Sequence, residues 1–228
     1  MQMIFLIVLI GLFLLGFIVQ GRLRSKMKEY SQYAMPNGMS GHEVAEKMLK
    51  DNGIYDVKIT SVEGYLTDHY NPIDKTVNLS PEVYSGRSVM AAFIAAHECG
   101  HAVQHATAYT WLNLRSKLVP VVSFSSRWIQ WVLLIGIFTI NIFPQLLLTG
   151  IVLFALTTLF SFITLPVEFD ASRRALAWID RSGFMSSQDH EKAKDGLWWA
   201  AMTYVIAALS SLATLLYYVM IFLGGRRD

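Results

Sequence analysis

His97-Glu98-Cys99-Gly100-His101 is the stretch of this sequence best equipped for chemistry. Two histidines four residues apart on a helix present both imidazoles on one face, where they can share one metal ion. The intervening Glu98 lies next to that face. Zinc lowers the pKa of a bound water toward ~7, and a neighbouring carboxylate can then take its proton. This is the H-E-x-x-H pattern by which metalloproteases hold zinc. The run Met90-Ala91-Ala92-Phe93-Ile94-Ala95-Ala96 before it supplies the helical context. The competing reading is two core histidines and a stray glutamate, but three such groups in so apolar a helix would be costly without partners. Cys99, the only cysteine, is turned off the metal face and reads as a packed thiol.

Two histidines leave a third ligand to find. His105 lies two further turns from His97, ~12 Å of rise along a straight helix. It cannot join both on one tetrahedral metal, so it reads as a neighbour of the ligands or a surface residue. Glu168 is the better candidate. It follows Pro166 and is expected to open a helix at the membrane surface. The alternative for Glu168 is a carboxylate that only stabilises its own helix N-terminus. Ser172, one turn further on, can hydrogen-bond to a ligand. Asp170 points elsewhere. Arg173 and Arg174 either stabilise an oxyanion or mark the cytoplasmic interface, the latter being favoured.

The elements that must position these residues follow from the charge pattern. The chain has 228 residues, 54% hydrophobic, with 19 basic and 17 acidic side chains. Residues 1–21, 128–167 and 196–225 carry no charge. The rest has the charge density of a soluble protein, which excludes disorder, a disulfide scaffold and a wholly soluble globule. Met1 to Val19 is just long enough to span a bilayer, and Arg22, Arg24, Lys26 and Lys28 follow it. A secretory signal would carry its charge before the apolar run, so this is an uncleaved anchor. The middle block is long enough for two spans, about 121–141 and 145–165, with a turn at Asn141 and Pro144. A fourth span covers about 198–223. Trp128, Trp131, Trp198 and Trp199 fit an aromatic belt. Residues 22–127 carry 12 Lys/Arg and 168–195 carry 5, against none at the tip of the middle hairpin. Both soluble pieces are therefore expected in the cytoplasm, with Arg226 and Arg227 in mild conflict. Two spans separate His101 from Glu168, so topology returns the acid to the side of the histidines. No basic stripe suggests nucleic acid.

Within the soluble pieces, Ser40 and Glu43 predict a capped helix over 40–53 that ends at Asn52-Gly53. Tyr55–Val62 and Thr76–Leu79 read as strands, and Asp68-His69-Tyr70-Asn71-Pro72 as turn chemistry. Pro81 opens a short helical turn. The motif helix is expected from about Ser88 to Ala108.

The sequence resembles the bacterial neutral zinc metallopeptidases of the YugP type, multi-pass membrane proteins. The likeness runs through Gly64–Pro72, Asn78-Leu79-Ser80, Tyr84–Ser88, Ala95–His105 and Leu165–Ala175. It implies a gluzincin-like peptidase with one Zn2+ per chain, His97, His101 and Glu168 as ligands, and Glu98 as base. More distantly the chain is similar to integral-membrane CaaX-prenyl and heat-shock proteases, whose third-ligand motif is E-x-x-A-D. Glu168 and Ala171 fit that motif, while Ser172 replaces the aspartate.

The fold expected is mainly α: a four-helix transmembrane protein with a small α+β zincin-like metallopeptidase domain. Its parts are an anchor over 1–21, a cytoplasmic domain over 22–120, a transmembrane hairpin over 121–165, a cytoplasmic helical segment over 166–197 and a last span over 198–223. The function expected is hydrolysis of peptide bonds in membrane-associated protein substrates at the cytoplasmic membrane surface. Strand Thr76-Val77-Asn78-Leu79 is a candidate for pairing with an extended substrate. His69 or Tyr70 is a candidate oxyanion donor. The rivals are a membrane scaffold or adaptor whose zinc is structural, with Asp68, His69 or His105 as fourth ligand, and a zinc hydrolase of a lipid-linked substrate.

Overall fold

The computed structural model describes residues 2–224, so Arg226 and Arg227 lie outside the described residues. The chain is mostly helical. Among the described residues, four helices are long and apolar enough to cross a membrane: α1 (Gln2–Tyr30), α5 (Thr110–Phe138), α6 (Pro144–Ser182) and α7 (Ser187–Gly224). Between the first two lie α2 (Gly41–Asp51), β1 (Lys58–Ser61), β2 (His69–Asn71), β3 (Thr76–Leu79), α3 (Pro81–Tyr84) and α4 (Val89–Ala106). By contacts the chain divides into two compact units.

One unit comprises Met1–Ile18, Asn113–Leu165 and Thr203–Asp228. It turns its bulky apolar side chains outward. Phe13, Phe17, Phe124 and Phe138 are all more than 60% exposed, as suits a hydrocarbon solvent rather than water. Its helices meet through small residues, a packing common in membranes. A Cβ on Gly136 would come within 2.7 Å of the Leu147 backbone, and the hydroxyls of Thr158 and Ser211 lie 2.7 Å apart. The turn expected at Asn141 and Pro144 falls between α5 and α6, with Pro144 opening α6.

The other unit comprises Val19–Leu112 and Pro166–Met202 and holds the larger core. Its sheet order is β1-β3-β2, with β1 parallel and β2 antiparallel to β3. Capping fixes its helices. Ser40 and Glu43 form a reciprocal capping box on α2, and the Ser88 hydroxyl accepts from the Ala91 N–H at the start of α4. Helix α4 is the centre of this unit. Its alanines and Gly100 let neighbouring backbones approach closely, and Phe93 is fully buried against Gly196 of α7.

Three expectations change. The segment 68–72, read as a turn, contains strand β2, because His69–Asn71 pairs with β3. The reversal comes afterwards, where Asn71 Oδ1 accepts from the Ile73 N–H at 2.9 Å. No helix begins at Glu168. Pro166 lies inside the continuous α6, which tolerates the one N–H that proline lacks, so Glu168 is mid-helix and does not cap its own N-terminus. Finally, Thr76–Leu79 has neighbours along both edges and offers no free edge to a substrate.

Candidate metal centre

Helix α4 places His97 and His101 on one face, their ring centroids 4.9 Å apart and nearly perpendicular. Helix α6 brings Glu168 against them. One carboxylate oxygen, Glu168 Oε2, lies 3.4 Å from His97 Nε2 and 3.6 Å from His101 Nε2. Ligand atoms ~2.05 Å from a tetrahedral zinc sit ~3.3 Å from one another, so these separations fit a metal between them. The ligand atoms of His97, His101 and Glu168 all lie within 4.8 Å of each other, and among the described residues the group has three members. Asp68, His69 and His105, considered as a fourth ligand, are not in it.

The close approach of α6 to α4 rests on Gly100. A Cβ there would meet the Ala171 carbonyl oxygen at 2.5 Å and the Ala171 carbonyl carbon at 3.1 Å. Only a residue without a side chain lets the two backbones touch, and Glu168 is one turn before that contact. The letter between the histidines thus has a packing reason.

The outer ring nitrogens are held as a metal site requires. Ser172 Oγ lies 3.1 Å from His97 Nδ1. His101 Nδ1 lies 3.0 Å from Gln104 Oε1. Gln104 is wholly buried, and its amide donates to Val167 O at 2.8 Å and to Asp170 Oδ2 at 3.0 Å. With the amide N–H groups given to two acceptors, Gln104 Oε1 is left to accept from His101. The proton of neutral His101 is therefore on Nδ1, and the Nε2 lone pair faces Glu168. Asp170 is fixed in turn by Arg174, whose Nε donates at 2.5 Å, and by Arg173.

Gln104 and Asp170 carry weight that sequence reading did not give them. Gln104 is three residues after His101, on the same helical face, and that spacing was the available signal. Asp170 does turn away from the metal ligands, but toward Gln104. Arg173 and Arg174, read as oxyanion donors or interface markers, both pair with Asp170.

Glu98, between the two histidines in sequence, is buried. Burial pushes its pKa above the usual carboxylate range against the pull of His97 and His101. For His101, burial disfavours the charged form, but the hydrogen bond and charge of Glu168 outweigh it and raise the pKa. Cys99 faces α2, with its thiol 3.6 Å from Ala45 O, and burial drives its pKa upward, the signature of a packed, inert thiol.

The remaining candidates lie apart. The Tyr70 hydroxyl is 2.7 Å from His105 Nδ1, so these two residues are committed to each other. His69 is exposed, with its ring 2.8 Å from Thr67 O.

The chain matches a family model described as "Putative neutral zinc metallopeptidase" over residues 4–223. The chain belongs to this metallopeptidase family. It is also 43% identical, over 99% of its own length and the whole of the relative, to a protein of Bacillus subtilis (strain 168) named "Putative membrane protease YugP". No solved structure matches it. For a zinc metallopeptidase family, the donor set is chemically apt: two imidazole nitrogens and a carboxylate oxygen are ligands that zinc, a borderline-soft ion, accepts.

Proposed function

We propose that this chain is a membrane-embedded, gluzincin-like zinc endopeptidase with a zincin-like domain. It holds one zinc per chain on His97, His101 and Glu168 and hydrolyses peptide bonds at the cytoplasmic membrane surface. The observation that carries this reading is a three-residue ligand group, with no fourth member among the described residues, beside a buried glutamate. A structural zinc is closed by four protein ligands, whereas a catalytic one keeps a position open.

Zinc bound there supplies a Lewis acid to the scissile carbonyl and the attacking water. The Glu98 carboxylate takes a proton from that water as it attacks, and the same group returns it to the leaving amine. Its raised pKa lowers the cost of holding the proton between the two steps. The Gln104–Asp170 pair keeps the His101 proton on Nδ1, and Ser172 holds the outer nitrogen of His97, so that each Nε2 is aimed inward. An extended substrate would pair with an outer strand of the sheet, β1 or β2, since β3 is enclosed.

Glu98→Gln tests the reading. It keeps the size of the side chain and removes the base, and Glu98 is not a ligand. Zinc content should stay unchanged while turnover of membrane-proximal protein substrates, followed by comparing membrane proteomes, falls by ~10²–10⁴. Indistinguishable proteomes at matched zinc content would overturn the peptidase assignment. Alanine at His97, His101 or Glu168 should remove zinc, and alanine at His105 should not.

A further inference from the structure

Away from the metal ligands, a groove of about 400 Å³ runs between α6 and α7. That is within the ~300–1,000 Å³ typical of small-ligand sites. Phe169, Arg173, Leu176 and Asp180 form its α6 wall, and Lys194 and Trp198 stand on its α7 wall. At 100° per residue, the α6 wall lies about 140°, a little over a third of a turn, from the Glu168–Ala171–Ala175 stripe that faces α4. The groove therefore opens beside the metal centre rather than in front of it. The one residue common to both is Ser172, which lines the groove and touches His97.

The groove has a polarity gradient. The charge-free run 128–167 ends just before Phe169, and the charge-free run 196–225 begins just before Trp198. Both aromatic side chains are exposed. Further from those apolar runs come Arg173 and Lys194, and at the far end Asp180 with His190. Arg173 is paired with Asp170, and Lys194 lies 3.7 Å from Glu191 with its side chain 61% exposed. An apolar end with aromatic rims, followed by two cations, matches an amphiphile with a chain at one end and an anion at the other.

We propose that this groove binds one anionic phospholipid, its upper acyl chain along Phe169 and Trp198 and its phosphate beside Arg173 and Lys194. A lipid seated there lies against Ser172, whose hydroxyl touches the outer nitrogen of His97. This makes the metal centre sensitive to the lipid around it. The inference rests on membrane insertion and not on the peptidase assignment.

The test uses the full-length zinc-loaded protein, equilibrated with mixed phosphatidylglycerol and phosphatidylcholine vesicles, extracted in mild detergent and weighed by native mass spectrometry. The wild type should retain one phosphatidylglycerol in preference to phosphatidylcholine, and inorganic phosphate should not displace it. Ala177→Trp, at an exposed groove position, fills the space and should abolish retention. Lys194→Ala should weaken it about fivefold, the worth of one cation near an anionic surface. Both variants should keep full zinc, which separates loss of the lipid from loss of the fold. No retained lipid, equal retention of the two lipids, displacement by phosphate, or undiminished retention in Ala177→Trp each overturns the proposal. A changed set of cleaved proteins in Ala177→Trp with no lipid on the wild type would make the groove a peptide site instead.

Discussion

Gly100 and Ala171 touch backbone to backbone: a Cβ on Gly100 would lie 2.5 Å from the Ala171 carbonyl oxygen. The contact joins α4 to α6 three residues after Glu168, and so sets how near the carboxylate comes to the histidines. Gly100→Ala keeps every ligand and improves helix propensity, yet must force the two helices apart or strain them. Overpacking of this kind costs ~1–3 kcal/mol. The expected result is a lowered melting temperature and a large loss of bound zinc in purified protein. Full zinc with an unchanged melting temperature would show that the contact does not position Glu168.

Gln104 gives a second prediction. Gln104→Leu keeps most of the volume but leaves the Asp170 and Val167 acceptors without their amide donor and frees the His101 proton to move to Nε2. Loss of such a partner typically lowers metal affinity ~10–100-fold. Zinc competition with a chromophoric chelator measures this directly. Gln104→Glu should be worse than its size suggests, because a second carboxylate would face Asp170 at a site where 3.0 Å now separates donor from acceptor. In Gln104→Glu with Asp170→Asn, the polarity of that bond is reversed, and affinity should partly return. Equal affinity in all four proteins would leave Gln104 with only a packing role.

The candidate metal-binding histidines were legible in the sequence because a four-residue spacing on a helix puts both imidazoles on one face. Glu168 was legible because two crossings return a chain to the same side. Ser172 was readable for the same local reason, one turn from a ligand. The rest depended on tertiary pairing. That β3 is the central strand follows from a parallel pairing of Lys58–Ser61 with Thr76–Leu79, which alternation alone does not reveal. Pro166 signalled a helix start, but the packing of α6 carries the helix through it. Asp170 looked idle because its partner, Gln104, is 66 residues away.

Tyr70 and His105 supply a pH prediction. Burial pushes the Tyr70 hydroxyl up to about 12, while the same group in an unfolded chain titrates near 10.0. A raised tyrosine pKa means that the fold favours the protonated form. Its stabilising effect is complete below the unfolded value and is lost as pH rises from 10.0 through about 12. Tyr70→Phe should be less stable than the wild type at neutral pH, for want of the bond to His105, and that difference should shrink in strong alkali. A difference titration at the phenolate absorbance should show the missing tyrosine as one that ionises late. If it ionises near 10, the hydroxyl is not buried against His105 in solution.

Orientation in the membrane is the last prediction. The basic residues are concentrated in 22–127 and 168–195 and absent from the tip between α5 and α6, so the positive-inside rule predicts a metal centre that faces the cytoplasm. The native Cys99 is fully buried and poorly ionised, so it should not react with an impermeant thiol reagent and need not be removed. Lys50 and Asn141 are both exposed, and neither makes a side-chain hydrogen bond among the described residues. In intact cells Asn141→Cys should be labelled from outside and Lys50→Cys should be protected until the membrane is opened. The opposite pattern would put the peptidase site outside the cell and overturn the charge argument. Labelling of both in intact cells would mean that the chain inserts in two orientations. Either result would leave the proposed zinc site intact, because His97, His101 and Glu168 belong to one compact unit whichever way it faces.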